Sequence, residues 1–239
     1  MKKYLLAALL GTMVLAAGCK GNSDTEEVTP ATSETEASKE DIAAGASTLS
    51  EAGKSAYRSV LEDIYYNQQF PNSLELDYDG SDLSRNRFAV LDVDGDGRSE
   101  LLISYITAST DGQAFLVYDF VEALDAVHEE FMGFPTVTFY DNGVARADWS
   151  DHPGTLENSD FQPFTLYLYN KDENVYGLLG TAFQKDDPDV YYQNLVGDED
   201  ETEIDETVLK DWLDTTIGDA AVVDVPMMKL TPENIRALK

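Results

Sequence analysis

The sequence predicts an α+β fold: a mostly antiparallel sheet wound as a β-meander, with an N-terminal amphipathic helix and C-terminal helices. Two observations carry this. Apolar residues recur at i, i+3, i+4, i+7 and i+8 at Tyr57, Val60, Leu61, Ile64 and Tyr65, and helical spacing returns at Val208, Leu209, Trp212 and Leu213. Between these segments, from Phe88 onward, short β-branched and aromatic runs are punctuated by Gly, Asn, Asp and Pro, the signature of strands and turns.

The elements follow in chain order. Lys2 and Lys3 precede an uncharged apolar stretch from Tyr4 to Ala17, which ends in Leu15-Ala16-Ala17-Gly18-Cys19. A positive start, a short apolar run and small residues before a cut are the layout of an export signal over residues 1–18, and the run is short for a spanning helix. Its last five residues resemble the lipobox of bacterial lipoproteins. That resemblance implies that Cys19 is acylated and becomes the first mature residue, so the chain is held at the cell membrane by lipid and faces outside the cytoplasm. Cys19 is the single cysteine of the chain, so no disulfide can form within one molecule, and a lone exported cysteine calls for a modification.

Residues 19–47, rich in Ser, Thr, Glu, Ala and Gly, have too few large apolar side chains to offset the entropy of ordering them and read as a disordered acidic tether. Residues 48–239 are long enough for a single globular domain. Thr48-Leu49-Ser50-Glu51 has capping-box spacing at the start of the first helix, and Asn67 to Pro71 ends it. Strands are expected near Phe88–Leu91, Leu101–Ile106, Ala114–Phe120, Thr136–Tyr140, Val144–Trp149, Thr165–Tyr169, Tyr176–Phe183 and Val190–Asn194. Asp141-Asn142-Gly143 is the best hairpin signal, because Asn-Gly tolerates the positive φ angles of a type I′ turn. The stretch Val121–Glu130 fits either a turn with another strand or a short helix. Gly218 can end the helix around Trp212, and Thr231-Pro232-Glu233 starts a last short one.

A formal net charge of −30 and the lack of any Lys/Arg cluster argue against nucleic acid as a partner, since phosphate binding draws on clustered cations. Excess acid suits solubility and cation binding.

One segment carries chemistry: Asp92-Val93-Asp94-Gly95-Asp96-Gly97-Arg98-Ser99-Glu100. Carboxylates at alternate positions can converge on one calcium ion while Gly97 makes the sharp turn, as in an EF-hand loop. Asp92, Asp94 and Asp96 would bind through their side chains, Arg98 through its backbone carbonyl, and Glu100 directly or through water. Ile103 stands where an EF-hand has its bidentate glutamate, and the flanks Phe88–Leu91 and Leu101–Ser104 look like strands, so this is not an EF-hand. In joining strands and ending on an acid at its ninth position, the loop resembles the calcium loops of integrin-type propeller repeats. The strand–loop–strand pattern is also similar to one in uncharacterised secreted lipoproteins of Gram-positive bacteria, which implies calcium binding and surface display. The absence of an internal repeat argues against a complete propeller.

Other candidates are weaker. The Asp77–Asp82 and Gly197–Glu201 stretches read as a surface turn and a solvated charge run. Asp148, Asp151 and His152 lie close together beside Trp149 and could be written as an acid/base or metal site, but the chain has no HExxH, no GxSxG and no catalytic cysteine. Tyr167 and Tyr169 share one face of a strand, and Tyr191 and Tyr192 fall on both faces of another; cross-strand packing is the favoured reading over an exposed platform. The expectation is a lipid-anchored, extracytoplasmic, calcium-binding domain, a non-catalytic surface module for an extracellular glycan, peptide or envelope protein. The rival is a carboxylate-based cell-envelope or glycan hydrolase, which needs only two acids at the right separation.

Overall fold

The computed structural model describes residues 49–78, 80, 82–108, 112–149, 160–185 and 187–238. Helix α1 spans Glu51–Asn67, and its N-cap is Ser50, whose Oγ accepts a hydrogen bond from Gly53 N at 3.0 Å. The capping box expected from Thr48 begins outside the described residues. The helix stops where Gln68 turns left-handed, at φ 51°, just ahead of Pro71.

Strands β1 (Arg87–Leu91), β2 (Glu100–Ile106), β3 (Gln113–Val121) and β4 (Ala126–Gly133) form an antiparallel meander. A short strand β11 (Met228–Lys229) pairs with the outer edge of β1. Next come β5 (Thr136–Phe139), β6 (Val144–Asp148), β7 (Phe164–Asn170), β8 (Val175–Gln184), β9 (Tyr191–Leu195) and β10 (Thr202–Ile204), a second meander in which each strand pairs with its chain neighbour. Helices α2 (Glu206–Thr216) and α3 (Pro232–Ala237) complete the fold. The domain is α+β and mostly antiparallel, as its sequence pattern predicts.

Strand alternation sorts the side chains into layers. One face of the first sheet, with Phe88, Leu101, Ile103, Tyr105, Leu116 and Tyr118, packs against Tyr57, Leu61 and Ile64 of α1 and Ile235 of α3. Its other face, with Ala89, Leu102, Phe115, Val117 and Phe131, meets Phe139, Ala145 and Tyr176 of the second sheet. The far face of that sheet, at Phe164 and Leu166, is covered by Leu209, Trp212 and Leu213 of α2. Each fully buried leucine in these layers contributes about 1.5–3 kcal/mol of transfer free energy.

Three local details differ from expectation or resolve it. Val121–Glu130 becomes a turn followed by β4, since Val127 and Phe131 can serve opposite faces of a sheet edge. The Asn142-Gly143 hairpin forms, but only Gly143 has positive φ, at 80°; Gly143 N bonds Tyr140 O at 3.0 Å and Tyr140 N bonds Val144 O at 2.9 Å. That is a three-residue connection closed by a glycine, not a type I′ turn. Strand β10 follows the Gly197–Glu201 charge run and pairs Ile204 with Tyr191, and Asp205 then caps α2 through Val208 N at 3.0 Å.

Candidate metal centre

The β1–β2 connection is shaped by its own aspartates. Asp92 accepts from Gly95 N at 2.7 Å and from Gly97 N at 3.0 Å, Asp94 from Asp96 N at 2.9 Å, and Asp96 from Arg98 N at 2.8 Å. Gly95 and Gly97, with φ of 77° and 94°, take the left-handed conformations that let the chain double back. The far end is pinned from the helical layer: Tyr57 Oη donates to Ser99 O at 2.8 Å.

One carboxylate oxygen from each of Asp92, Asp94 and Glu100 lies within 4.8 Å of the other two, so this trio could hold a metal ion. Oxygen ligands of calcium sit about 2.3–2.6 Å from the ion, which places two of them at most about 5 Å apart. Glu100 is fully buried; its Oε2 accepts from Val93 N at 2.8 Å, whereas its Oε1 has no hydrogen-bond partner among the described residues. Asp94 Oδ2 is likewise buried and unpartnered. Burial, reinforced by the neighbouring Asp94 charge, pushes the Glu100 carboxyl up to about 10. Burial also raises Asp94 to about 6, with Asp96 and Asp92 adding to the rise against the restraining hydrogen bond from Asp96 N. Converging, desolvated carboxylates with an oxygen left without a donor are costly, and a cation removes that cost.

The other loop residues are engaged differently. Asp96 Oδ2 pairs with Arg98 Nη2 at 2.5 Å and lies 3.2 Å from Tyr169 Oη, outside the converging trio. The Arg98 side chain, which sequence reasoning left without a role, also places its Nε 3.1 Å from Asp119 Oδ2 and its Nη2 2.5 Å from Asn174 Oδ1. Asn174 Nδ2 donates to Asp119 Oδ2 at 3.2 Å. The loop is thereby tied to β3 and, through Tyr169 and Asn174 at the β7–β8 turn, to the second sheet. Asp119 had a readable signal, an acid inside the apolar run Ala114–Val121; Tyr169 and Asn174, remote in sequence, had none.

Cys19, the export signal, the tether, Asp151 and His152 lie outside the described residues. Asp148 forms an ion pair with Arg146 at 2.8 Å. Tyr167 and Tyr169 pack between the sheets, Tyr191 sits edge-on to Phe161 with centroids 5.1 Å apart, and Tyr192 stacks on Phe183 beneath Lys185. Packing, not display, accounts for these rings. In the Asp77–Asp82 stretch Tyr78 bridges Thr107, and Asp79 lies outside the described residues. Among the described residues no helix is long and apolar enough to cross a membrane. No protein-family model, curated protein or solved structure matches the chain.

Proposed function

We propose that this is a calcium-binding domain displayed outside the cytoplasm on a lipid anchor at Cys19, acting as a non-catalytic surface module toward an extracellular glycan, peptide or envelope protein. The observation that carries the calcium reading is the convergence of Asp92, Asp94 and Glu100 around buried, unpartnered oxygens. Asp96 and the Arg98 carbonyl are the further ligands the loop pattern offers. Oxygen-only ligands on a glycine-turned loop suit calcium better than magnesium, which demands a strict octahedron and keeps its waters. The lipobox-like residues 15–19 support the anchoring, and Cys19→Ala should release the chain from the membrane fraction or leave it unprocessed.

With no glutamate at Ile103, the affinity belongs to the weak extracellular range. At millimolar calcium and a Kd of about 0.1 mM the gain in stability is roughly 1.4 kcal/mol, a rise in melting temperature of about 3–5 °C for a domain of this size. Calcium should raise the melting temperature of the wild-type chain, and Asp92→Asn should abolish the rise. Identical wild-type melting curves in calcium and in chelator contradict the proposal.

A carboxylate hydrolase is the second reading, and one observation favours it. A cleft of about 530 Å³ between β7, β9 and α2 brings Phe161 and Tyr191 together with Asp160, Glu206 and Asp214. Turnover of a glycan substrate that vanishes in Asp160→Asn or Glu206→Gln, with calcium binding retained, selects this reading over the non-catalytic one.

A further inference from the structure

Glu130 is a buried acid that the loop motif does not contain. It is 3 % exposed, and neither of its carboxylate oxygens has a hydrogen-bond partner among the described residues. Its position results from an irregularity in strand pairing: Val117 opposes Phe131 and Tyr118 opposes Glu129, so Glu130 is the extra residue of a β-bulge. A bulge bends a strand and re-aims a side chain, and bulges gather beside functional sites for that reason. Alternation along β4 from Val127, which packs on the helical layer, puts Glu130 on the opposite face, and the bulge keeps Phe131 beside it there, where it meets the second sheet. The charges that act on Glu130 are Asp94 first, then Asp119 and Asp96, with Arg98 opposing them. Glu130 in turn acts on Glu100, and the buried, unpartnered Tyr176 hydroxyl feels Asp94, Glu130 and Glu100 together.

Strand register brings these groups to one locality: Glu100 precedes Leu101, which opposes Tyr118 of β3, and Glu130 sits in the bulge against Val117 and Tyr118 from the other side of β3. Among the described residues Asp94 Oδ2, Glu100 Oε1, both Glu130 oxygens and Tyr176 Oη are all buried without donors or acceptors, and they are electrostatic neighbours of one another. Four such groups between two apolar sheet faces would each carry a desolvation penalty. A hydrated cation on the loop gives them partners at once. Glu130 is not one of the three residues whose oxygens converge within 4.8 Å; it lies on β4, in the bulge opposite Val117 and Tyr118.

We propose that Glu130 belongs to the cation site, where its carboxylate, reaching in from β4, holds a water bound to the ion. This rests on the metal-centre reading and extends it from the loop to strand β4. Carboxylates that orient a ligand from the next shell typically carry about tenfold to hundredfold in metal affinity. They also leave a signature that packing residues do not. Glu130→Gln keeps the shape and cannot become a carboxylate, and so spares the metal-free fold while weakening the metal-bound one.

The test is calorimetric titration of calcium chloride into the purified, chelator-treated chain, with metal-free melting curves, for wild type, Asp92→Asn and Glu130→Gln. The expected result is wild-type binding, its loss in Asp92→Asn, and a Kd at least about tenfold weaker in Glu130→Gln, whose metal-free melting temperature equals or exceeds that of wild type. A smaller loss of affinity in Glu130→Gln overturns the inference while the metal centre stands. A weaker Kd accompanied by a lower metal-free melting temperature also overturns it, since that marks a packing role. No binding by wild type, or binding undiminished in Asp92→Asn, overturns the metal-centre reading itself.

Discussion

At the scale of the residue, the centre is a set of acids held where acids are poorly solvated. Burial is the leading cause of the rise at Glu100, to about 10, and at Glu130, to about 9, with neighbouring carboxylates adding to both. In the unfolded chain each would release its proton near the ordinary carboxylate range of about 4.3. The folded pKa values are raised, so the stability these groups lend is complete below that range and is lost as pH rises toward 9–10. In calcium-free buffer the domain should therefore melt at a higher temperature near about pH 5 than near about pH 8. Millimolar calcium should reverse or flatten that slope, because metal binding competes with the protons. Melting curves across this range with and without calcium check both halves; greater calcium-free stability at the alkaline end would show that burial does not hold these carboxyls protonated.

At the scale of the element, close approach between strands sets its own tolerances. A Cβ at Gly180 of β8 would sit 2.7 Å from Asn194 O on β9, a backbone atom that cannot swing aside. Gly180→Ala should destabilise the domain by about 1–3 kcal/mol, the usual cost of overpacking, read as a lower denaturation midpoint; an unchanged midpoint would show that the β8–β9 pair flexes freely. The position also marks how far sequence reasoning reaches. Helical periodicity marks α1 and the α2 face around Trp212, and β-branched and aromatic runs between turn residues mark the strands of both meanders except β4 and β10. Strand β4 stayed open because Val121, Leu124 and Val127 fit a helical stripe equally well, and β10 escaped because Thr202–Ile204 offers one apolar residue after a charge run. The loop trio Asp92, Asp94 and Glu100 was legible because its ligands sit close in sequence. Asp119, Glu130, Tyr169 and Asn174 reach the same place only through strand register and sheet stacking, which no local pattern encodes.

At the scale of the whole molecule, the loop is a contact between layers. Tyr57 of α1 grips Ser99, Arg98 reaches Asp119 of the first sheet, and Tyr169 and Asn174 of the second sheet meet Asp96 and Arg98. An ion that fixes the loop should then restrain the β7–β8 turn, which offers none of the proposed ligands. Amide hydrogen exchange should slow at Asn174 to Gly177 as well as at Val93 to Ser99 when calcium is added; protection confined to the loop would show the layers to be uncoupled. The outer edge of β1 has a different kind of importance. Every strand from β1 to β10 can zip onto a chain neighbour or begin a new meander, but Arg87 meets Lys229 only after a stretch of about 140 residues has been brought round. Closing so long a loop is slow and entropically costly. A folding intermediate with both meanders formed and β11 undocked would expose the backbone donors and acceptors of β1 to any similar edge nearby. Refolding yield, more than final stability, should then fall as protein concentration rises, with intermolecular strand pairing as the competing product.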